Sequence, residues 1–258
     1  PVSALMHAGI INAGGAILLR FAPLIVQAPE VLLLLSVVGT LTLTIGLLAT
    51  WAQVKVKRTL AWSTVAQMGF MMVEIGLGAF PVAAVHIVGH GCYKAWSFLR
   101  SGDLPTPPKT PASPRRAIGL VALGALASIP ALAISSRLTG FDPLHSPGEL
   151  ALTAILTLSI GQLWVAILGV PTGDRGRTAR RLVVAAVSTV GASIVAFAAY
   201  RSASAVLSPV LGELPMPTGP LAWSAAVMPV VALTALTVLY AVLPILGRSQ
   251  SGRALHMH

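Results

Sequence analysis

Charge is what this 258-residue sequence has least of: 9% of its residues are charged, and only 7 are acidic. A soluble globular domain carries about 25%. With 55% hydrophobic residues and a mean hydropathy of +0.85, this scarcity excludes a soluble enzyme, a disordered chain and a nucleic-acid-binding domain. Cysteine is nearly absent too. The single Cys92 excludes an internal disulfide and any cysteine-based zinc or iron–sulfur site. The apolar runs do not alternate with polar residues, which excludes a membrane-spanning strand barrel. No basic stretch precedes a short apolar run with a small-residue cleavage site, so the first run is not a signal peptide. The sequence starts at Pro1 without an initiator Met, and a truncated or split polypeptide is the expectation.

What is present is a series of long apolar runs. They are Val2–Leu19, Val31–Val54, Leu60–Ala79, Val82–Leu99, Ala117–Ser136, Leu150–Val170, Leu182–Tyr200 and Leu221–Leu246. Each is about long enough to cross the hydrocarbon core as a helix. The expected fold is therefore all-α: a polytopic transmembrane bundle of about eight helices. Pro130, Pro229 and Pro244 fall inside runs and predict kinks, because proline removes an intrahelical hydrogen bond.

The basic residues then sort by side. Lys55, Lys57, Arg58, Arg100, Lys109, Arg115, Arg116, Arg175, Arg177, Arg180, Arg181, Arg248 and Arg253 fall on one side, and Arg20, Arg137 and Arg201 on the other, with Lys94 inside a run. Lysine and arginine collect in cytoplasmic loops. The asymmetry predicts eight spans with both chain ends cytoplasmic. It also accounts for the net charge of +10 without any nucleic acid.

The longest polar connection is Ser101–Arg116, with prolines at 105, 107, 108, 111 and 114. It reads as an extended cytoplasmic linker. The expected organisation is four spans in residues 1–102, a Pro-rich linker over 103–116, and four spans in 117–258 that look like packing scaffold.

Ionisable side chains inside a membrane are expensive and mark functional sites. The first run carries His7, the third Glu74, and the fourth His86, His90 and Lys94. Positions i, i+4 and i+8 share a helix face, so the last three form a stripe roughly 12 Å long. Imidazole titrates near neutral pH and both accepts and donates a proton. A His–His–Lys row in a bundle therefore suits proton relay. Two alternatives stand beside it. One is structural hydrogen bonding across helices, with Lys94 reaching back to the cytoplasmic interface. The other is a metal site, although no carboxylate follows the histidines on that helix.

Counting from the turn near Phe80–Pro81 puts Glu74 and His86 at similar depth, so the two are expected to face each other; the alternative is a Glu74 that reaches solvent at the far surface. His7 sits among Ser3, Gly9, Asn12, Gly14 and Gly15, small residues that let helices approach closely, and by itself it reads as structural. The hydroxyls of Thr40, Thr42 and Thr44 read the same way. The sequence offers no nucleophile, cofactor loop or metal site of its own.

Three runs carry a family resemblance. Pro1-Val-Ser-Ala-Leu-Met-His-Ala-Gly9 resembles the histidine-bearing helix of the antiporter-like subunits of respiratory complex I. Lys57-Arg-Thr-Leu-Ala-Trp-Ser-Thr-Val-Ala-Gln-Met-Gly-Phe70 resembles their next marker helix, and His86-x-x-x-His90-x-x-x-Lys94 the helix joining their two half-channels. The resemblance covers residues 1 to about 102. Within the family, His7-Ala-Gly-Ile-Ile-Asn-Ala-Gly-Gly15 and Gly89-His-Gly-Cys-Tyr-Lys-Ala-Trp-Ser-Phe-Leu-Arg-Ser-Gly102 are similar to the DabB branch, the membrane subunits of two-component inorganic-carbon transporters.

That resemblance implies a bacterial inner-membrane transporter subunit, not an enzyme. It also implies a DabA-like large peripheral partner that holds zinc, and a cation gradient, protons among the candidates, driving net conversion of CO2 to bicarbonate. It carries a proton-path role to His7, His86, His90 and Lys94. Lys57 either extends the path toward the cytoplasm or anchors the helix. Trp62, Ser63, Gln67 and Tyr93 line the path or pack. The family's first half-channel glutamate and lysine have no counterpart after Pro1, so this stretch alone is not expected to complete a proton route. Complex I chains also carry a second broken helix with a Gly-Phe-Phe-Ser-Lys-like stretch, which residues 117–170 lack. The rival readings are an antiporter-like subunit of complex I or of a Mrp-type sodium/proton antiporter, and a non-transporting scaffold subunit.

Overall fold

A computed structural model describes residues 2–100, 113–171, 173–212 and 214–254, with side chains as far as residue 241. Residues 101–112 of the expected linker lie outside the described residues. The chain is helical throughout, with no strand among the described residues. The helices are α1 (Val2–Ala8), α2 (Ala13–Arg20), α3 (Ala22–Ile25), α4 (Pro29–Trp51), α5 (Val56–Gly76), α6 (Phe80–Leu99), α7 (Pro114–Thr139), α8 (Pro147–Leu168), α9 (Arg175–Leu211) and α10 (Pro220–Ala254).

Proline sets many of the starts. It is the first residue of α4, α7, α8 and α10 and the second of α6, where its missing N–H has no intrahelical partner to lose. Glycine sets one clear stop: Gly140, at φ 67°, caps α7 and donates its N–H to the Ser136 carbonyl, as left-handed C-caps do. Six segments, Val2–Arg20, Pro29–Trp51, Pro114–Thr139, Pro147–Leu168, Arg175–Leu211 and Pro220–Ala241, are long and apolar enough to cross a membrane. Helices α5 and α6 are 21 and 20 residues long, and the ionisable groups they carry keep them outside that set. Aliphatic side chains such as Leu34, Leu41 and Ile45 stand exposed on α4, as lipid-facing residues do.

Two differences from the sequence expectation have physical causes. The first apolar run is not one helix: a 3-10 turn at Ile10–Asn12 separates α1 from α2. Gly9, a poor helix former, precedes it. The Asn12 N–H bonds the Gly9 carbonyl at 3.0 Å in place of Ala8, and the Asn12 side chain takes the Ala8 carbonyl instead, at 2.8 Å. The second difference is α9, whose 37 residues extend roughly 55 Å. The apolar pattern ends at Tyr200, but the helix continues through Arg201, Ser202 and Ser204 because polar residues outside the hydrocarbon do not stop a helix. Helix α7 runs unbroken through Pro130.

The chain divides into two compact units, residues 1–107, 141–153 and 197–232 in the first, and 108–140, 154–196 and 233–258 in the second. In the first, α4 and α5 pack antiparallel along glycines spaced seven apart: Gly39 and Gly46 on α4, Gly69 and Gly76 on α5. A Cβ on Gly69 would lie 2.4 Å from the Leu43 nitrogen, and one on Gly39 2.7 Å from the Gly69 carbonyl. Backbones meet there directly, the small-residue packing that membrane helices use. Leu32, Met71, Ile75, Phe80 and Ala83 form the core beside that seam. In the second unit Ile160, Trp164, Leu168 and Ala185 form the core, and Gly124 and Gly161 let α7 and α8 approach.

Candidate functional site

The candidate side chains of the first unit are set by α5, α6 and the broken first span. Helix α6 presents His86, His90 and Lys94 one above the next, as its periodicity requires. The turn at residues 77–79 reverses the chain: Gly78 has φ 76°, and the Ala79 N–H bonds the Glu74 carbonyl at 2.9 Å. That reversal brings the end of α5 alongside the start of α6. His86 Nδ1 lies 2.9 Å from Glu74 Oε2, so the two residues face each other as expected. Glu74 is only 2% exposed, which removes the alternative of a solvent-reaching carboxylate.

The row continues. The His86 and His90 rings stand edge to face, 5.8 Å between centroids. His90 Nδ1 lies 3.3 Å from Asn12 Oδ1, while its Nε2 is buried with no hydrogen-bond partner among the described residues. Lys94 is 1% exposed, so it does not reach back to the interface. Its Nζ donates to the Leu60 carbonyl at 3.1 Å and to the Ser63 hydroxyl. Beyond it, the His7 ring stacks on Phe98 at 4.6 Å, and His7 Nδ1 is buried without a partner among the described residues. Gly91 admits α1, since a Cβ there would lie 2.9 Å from the Ala8 carbonyl.

Ser63, Gln67, Glu74, His86, His90 and Lys94 share one cavity of about 550 Å³, with Tyr93 at its wall. Water occupies about 30 Å³ per molecule, so this open groove has room for water beside the row. The structure thus brings together four of the six residues expected on the path. His7 stands beyond Lys94, and Lys57 lies exposed on the first turn of α5, outside the cavity lining. Trp62 also faces outward, whereas Ser63, Gln67 and Tyr93 line the cavity.

Sequence reasoning missed three features. Asn12 stood in a cluster with His7, but nothing in the sequence linked it to His90, 78 residues away. Thr40 is buried with its hydroxyl unpartnered among the described residues. Glu149, outside the predicted run, is 6% exposed and bonds Ser146 and Tyr200. The signal for Glu149 was available: Ser146-x-x-Glu149 is a capping box at the start of α8.

A row of titratable groups along one groove in a multi-pass helical membrane protein defines an antiporter-like class. The comparisons agree. The family described as NADH:quinone oxidoreductase/Mrp antiporter, transmembrane, matches residues 1–172, and the chain belongs to it. Among curated proteins, the chain is 52% identical over 104 residues to "Probable inorganic carbon transporter subunit DabB2" of Halothiobacillus neapolitanus, a match covering 40% of this chain and 19% of that protein. It is 48% identical over 105 residues to the DabB subunit of Bacillus subtilis, covering 40% and 20%. It is also 40% identical over 129 residues to "NAD(P)H-quinone oxidoreductase subunit 5, chloroplastic" of Lolium perenne, covering 49% and 17%. The matched stretch spans about a fifth of each relative or less. The resemblance to DabB subunits read from the motifs is borne out.

Proposed function

We propose that this chain is part of the proton-conducting membrane subunit of a DabAB-like inorganic-carbon transporter, which uses a cation gradient to accumulate bicarbonate. The observation that carries the reading is the buried row Glu74–His86–His90–Lys94 along one cavity, in a chain about half identical to DabB subunits over that region. Protons pass between these groups and cavity water. His7 continues the row beyond Lys94, and Lys57 receives protons at the cytoplasmic end of α5. Residues 1–102 hold the path and 117–258 serve as scaffold; the expected linker ends before Pro114, where α7 begins. Both ends face the cytoplasm of a bacterial inner membrane. Each proton crossing 100 mV supplies about 2.3 kcal/mol, which reaches a DabA-like zinc-holding partner as a conformational or electrostatic change. Hydration chemistry belongs to that partner, and this chain is not itself an enzyme.

A second reading is an antiporter-like subunit of complex I or a Mrp-type antiporter. The longer matched stretch with the quinone oxidoreductase subunit favours it. Purification of the tagged native complex followed by mass spectrometry separates the two. A large zinc-containing partner and no redox subunits is the expected result. Quinone-reductase or Mrp chains would replace the carbon-transport reading with the second. A complex whose cation flux is untouched by Lys94→Ala and His90→Ala would identify a scaffold subunit.

A further inference from the structure

Asn12 sits at the break between α1 and α2, where its side chain is bound on every polar atom. Its Nδ2 donates to the Ala8 carbonyl at 2.8 Å and to the Ile87 carbonyl at 3.3 Å. An amide flipped about its last bond would set an oxygen against those two carbonyl oxygens, so the surroundings fix its orientation. The remaining atom, Oδ1, carries only lone pairs, and it lies 3.3 Å from His90 Nδ1. An acceptor in that place requires a hydrogen on the ring nitrogen it faces.

We infer that Asn12 is a positioning residue for the relay: it holds the His90 hydrogen on Nδ1 in both the neutral and the charged ring, so that Nε2 is the nitrogen that takes up and releases a proton. The inference rests on the proton-path reading above and names the atom that does the work there. Two observations support it independently. His90 Nε2 is buried without a hydrogen-bond partner among the described residues, on a residue that lines the cavity with His86 and Lys94. His86 follows the same rule when Glu74 is ionised, since its Nδ1 then faces a carboxylate oxygen, which only accepts. Which imidazole nitrogen carries the proton is set by the bond that the other one makes. Both histidines of the row therefore offer Nε2, one turn apart.

The break in the first span is what makes this possible. A continuous helix would bond the Ala8 carbonyl to the Asn12 backbone N–H. Here the backbone N–H goes to Gly9, and the Asn12 side chain closes on Ala8 and Ile87 together, which aims its oxygen across to α6.

The test is nitrogen NMR of 15N-histidine-labelled full transporter in lipid bilayers, with the His90 signal identified by its loss in His90→Gln, beside proton flux into vesicles carrying the same complex. The wild type is expected to show His90 with hydrogen on Nδ1. Asn12→Leu loses the tautomer, and flux falls on the order of tenfold, the loss seen when other orienting partners of histidine are removed. Should the leucine variant fail to assemble, Asn12→Ala, which adds no bulk, carries the same comparison. Hydrogen on Nε2 in the wild type, or a tautomer unmoved by Asn12→Leu and Asn12→Ala, overturns the positioning role even if flux falls. A shifted tautomer with unchanged flux overturns the relay reading instead.

Discussion

The two units bury polar groups in opposite ways. In the second unit the buried polar residues are hydroxyls: Ser128, Ser135, Thr189 and Ser193. Each donates within its own helix, to the carbonyls of Ala125, Ala131, Ala185 and Thr189, at 2.7 to 2.9 Å, and their bonds to other helices, Ser128 to Thr157 and Trp164 to Thr189, join neutral groups. In the first unit the buried set includes Glu74, His90, Lys94 and Asn12, and their bonds cross from helix to helix. A hydroxyl tied to the preceding turn costs little in hydrocarbon. An ionisable group costs several kcal/mol unless it is paired or solvated. Packing alone explains the second unit, whereas the first carries a burden that packing does not require. That contrast points to function in the first unit.

The largest test of the contrast is Lys94→Met. Loss of a proton-exchanging group is expected to lower flux on the order of 100-fold or more, measured in vesicles carrying the full transporter. Ser135→Ala, an equally buried change in the second unit, is expected to leave flux alone. Equal losses from the two would erase the distinction between the units. Next comes Gly69→Leu. The side chain has no room against the Leu43 backbone, and a cost of about 2–3 kcal/mol follows from overpacking, read as a lower unfolding midpoint. Gly14→Ala, whose Cβ would meet nothing within 4 Å, is the silent partner of that experiment.

A smaller effect is expected from Glu74→Gln. The amide still accepts from His86 Nδ1, but the bond is no longer charge-assisted. Such bonds exceed neutral ones by about 1 kcal/mol, so flux is expected to fall roughly fivefold while the complex still assembles. If flux is unchanged while Lys94→Met abolishes it, the path begins at His90 and the Glu74–His86 pair is structural.

Much of this was legible in the sequence, for identifiable reasons. Long apolar runs report spans because lipid requires every backbone group to bond within its own helix. The i, i+4, i+8 spacing alone puts His86, His90 and Lys94 on one face, and the short turn after Glu74 fixes its depth against His86. What escaped was contact between distant segments. Asn12 reaches His90 only because Gly9 breaks the first helix and Gly91 lets α1 approach, and neither effect has a local pattern. The extent of α9 escaped because the apolar run marks the hydrocarbon thickness and not the helix. The seven-residue glycine spacing on α4 and α5 was visible, but it becomes a contact only once the two helices are known to be partners.

The smallest effect belongs to the second unit and concerns a cross-helix polar bond made by a buried indole. Trp164 Nε1 donates to the Thr189 hydroxyl at 2.9 Å, while that hydroxyl donates to the Ala185 carbonyl. The bond can be removed from either end, and the two ends are not equivalent. Trp164→Phe keeps most of the ring and leaves Thr189 with its backbone partner, so no buried group is orphaned. The expected loss of stability is about 1 kcal/mol. Thr189→Val keeps the shape but strands the indole N–H in the core, for which about 1–3 kcal/mol is expected. Neither variant should alter proton flux per assembled complex, because no titratable group is touched. A flux change in either, with assembly intact, would mean that the second unit is coupled to the path and is more than scaffold.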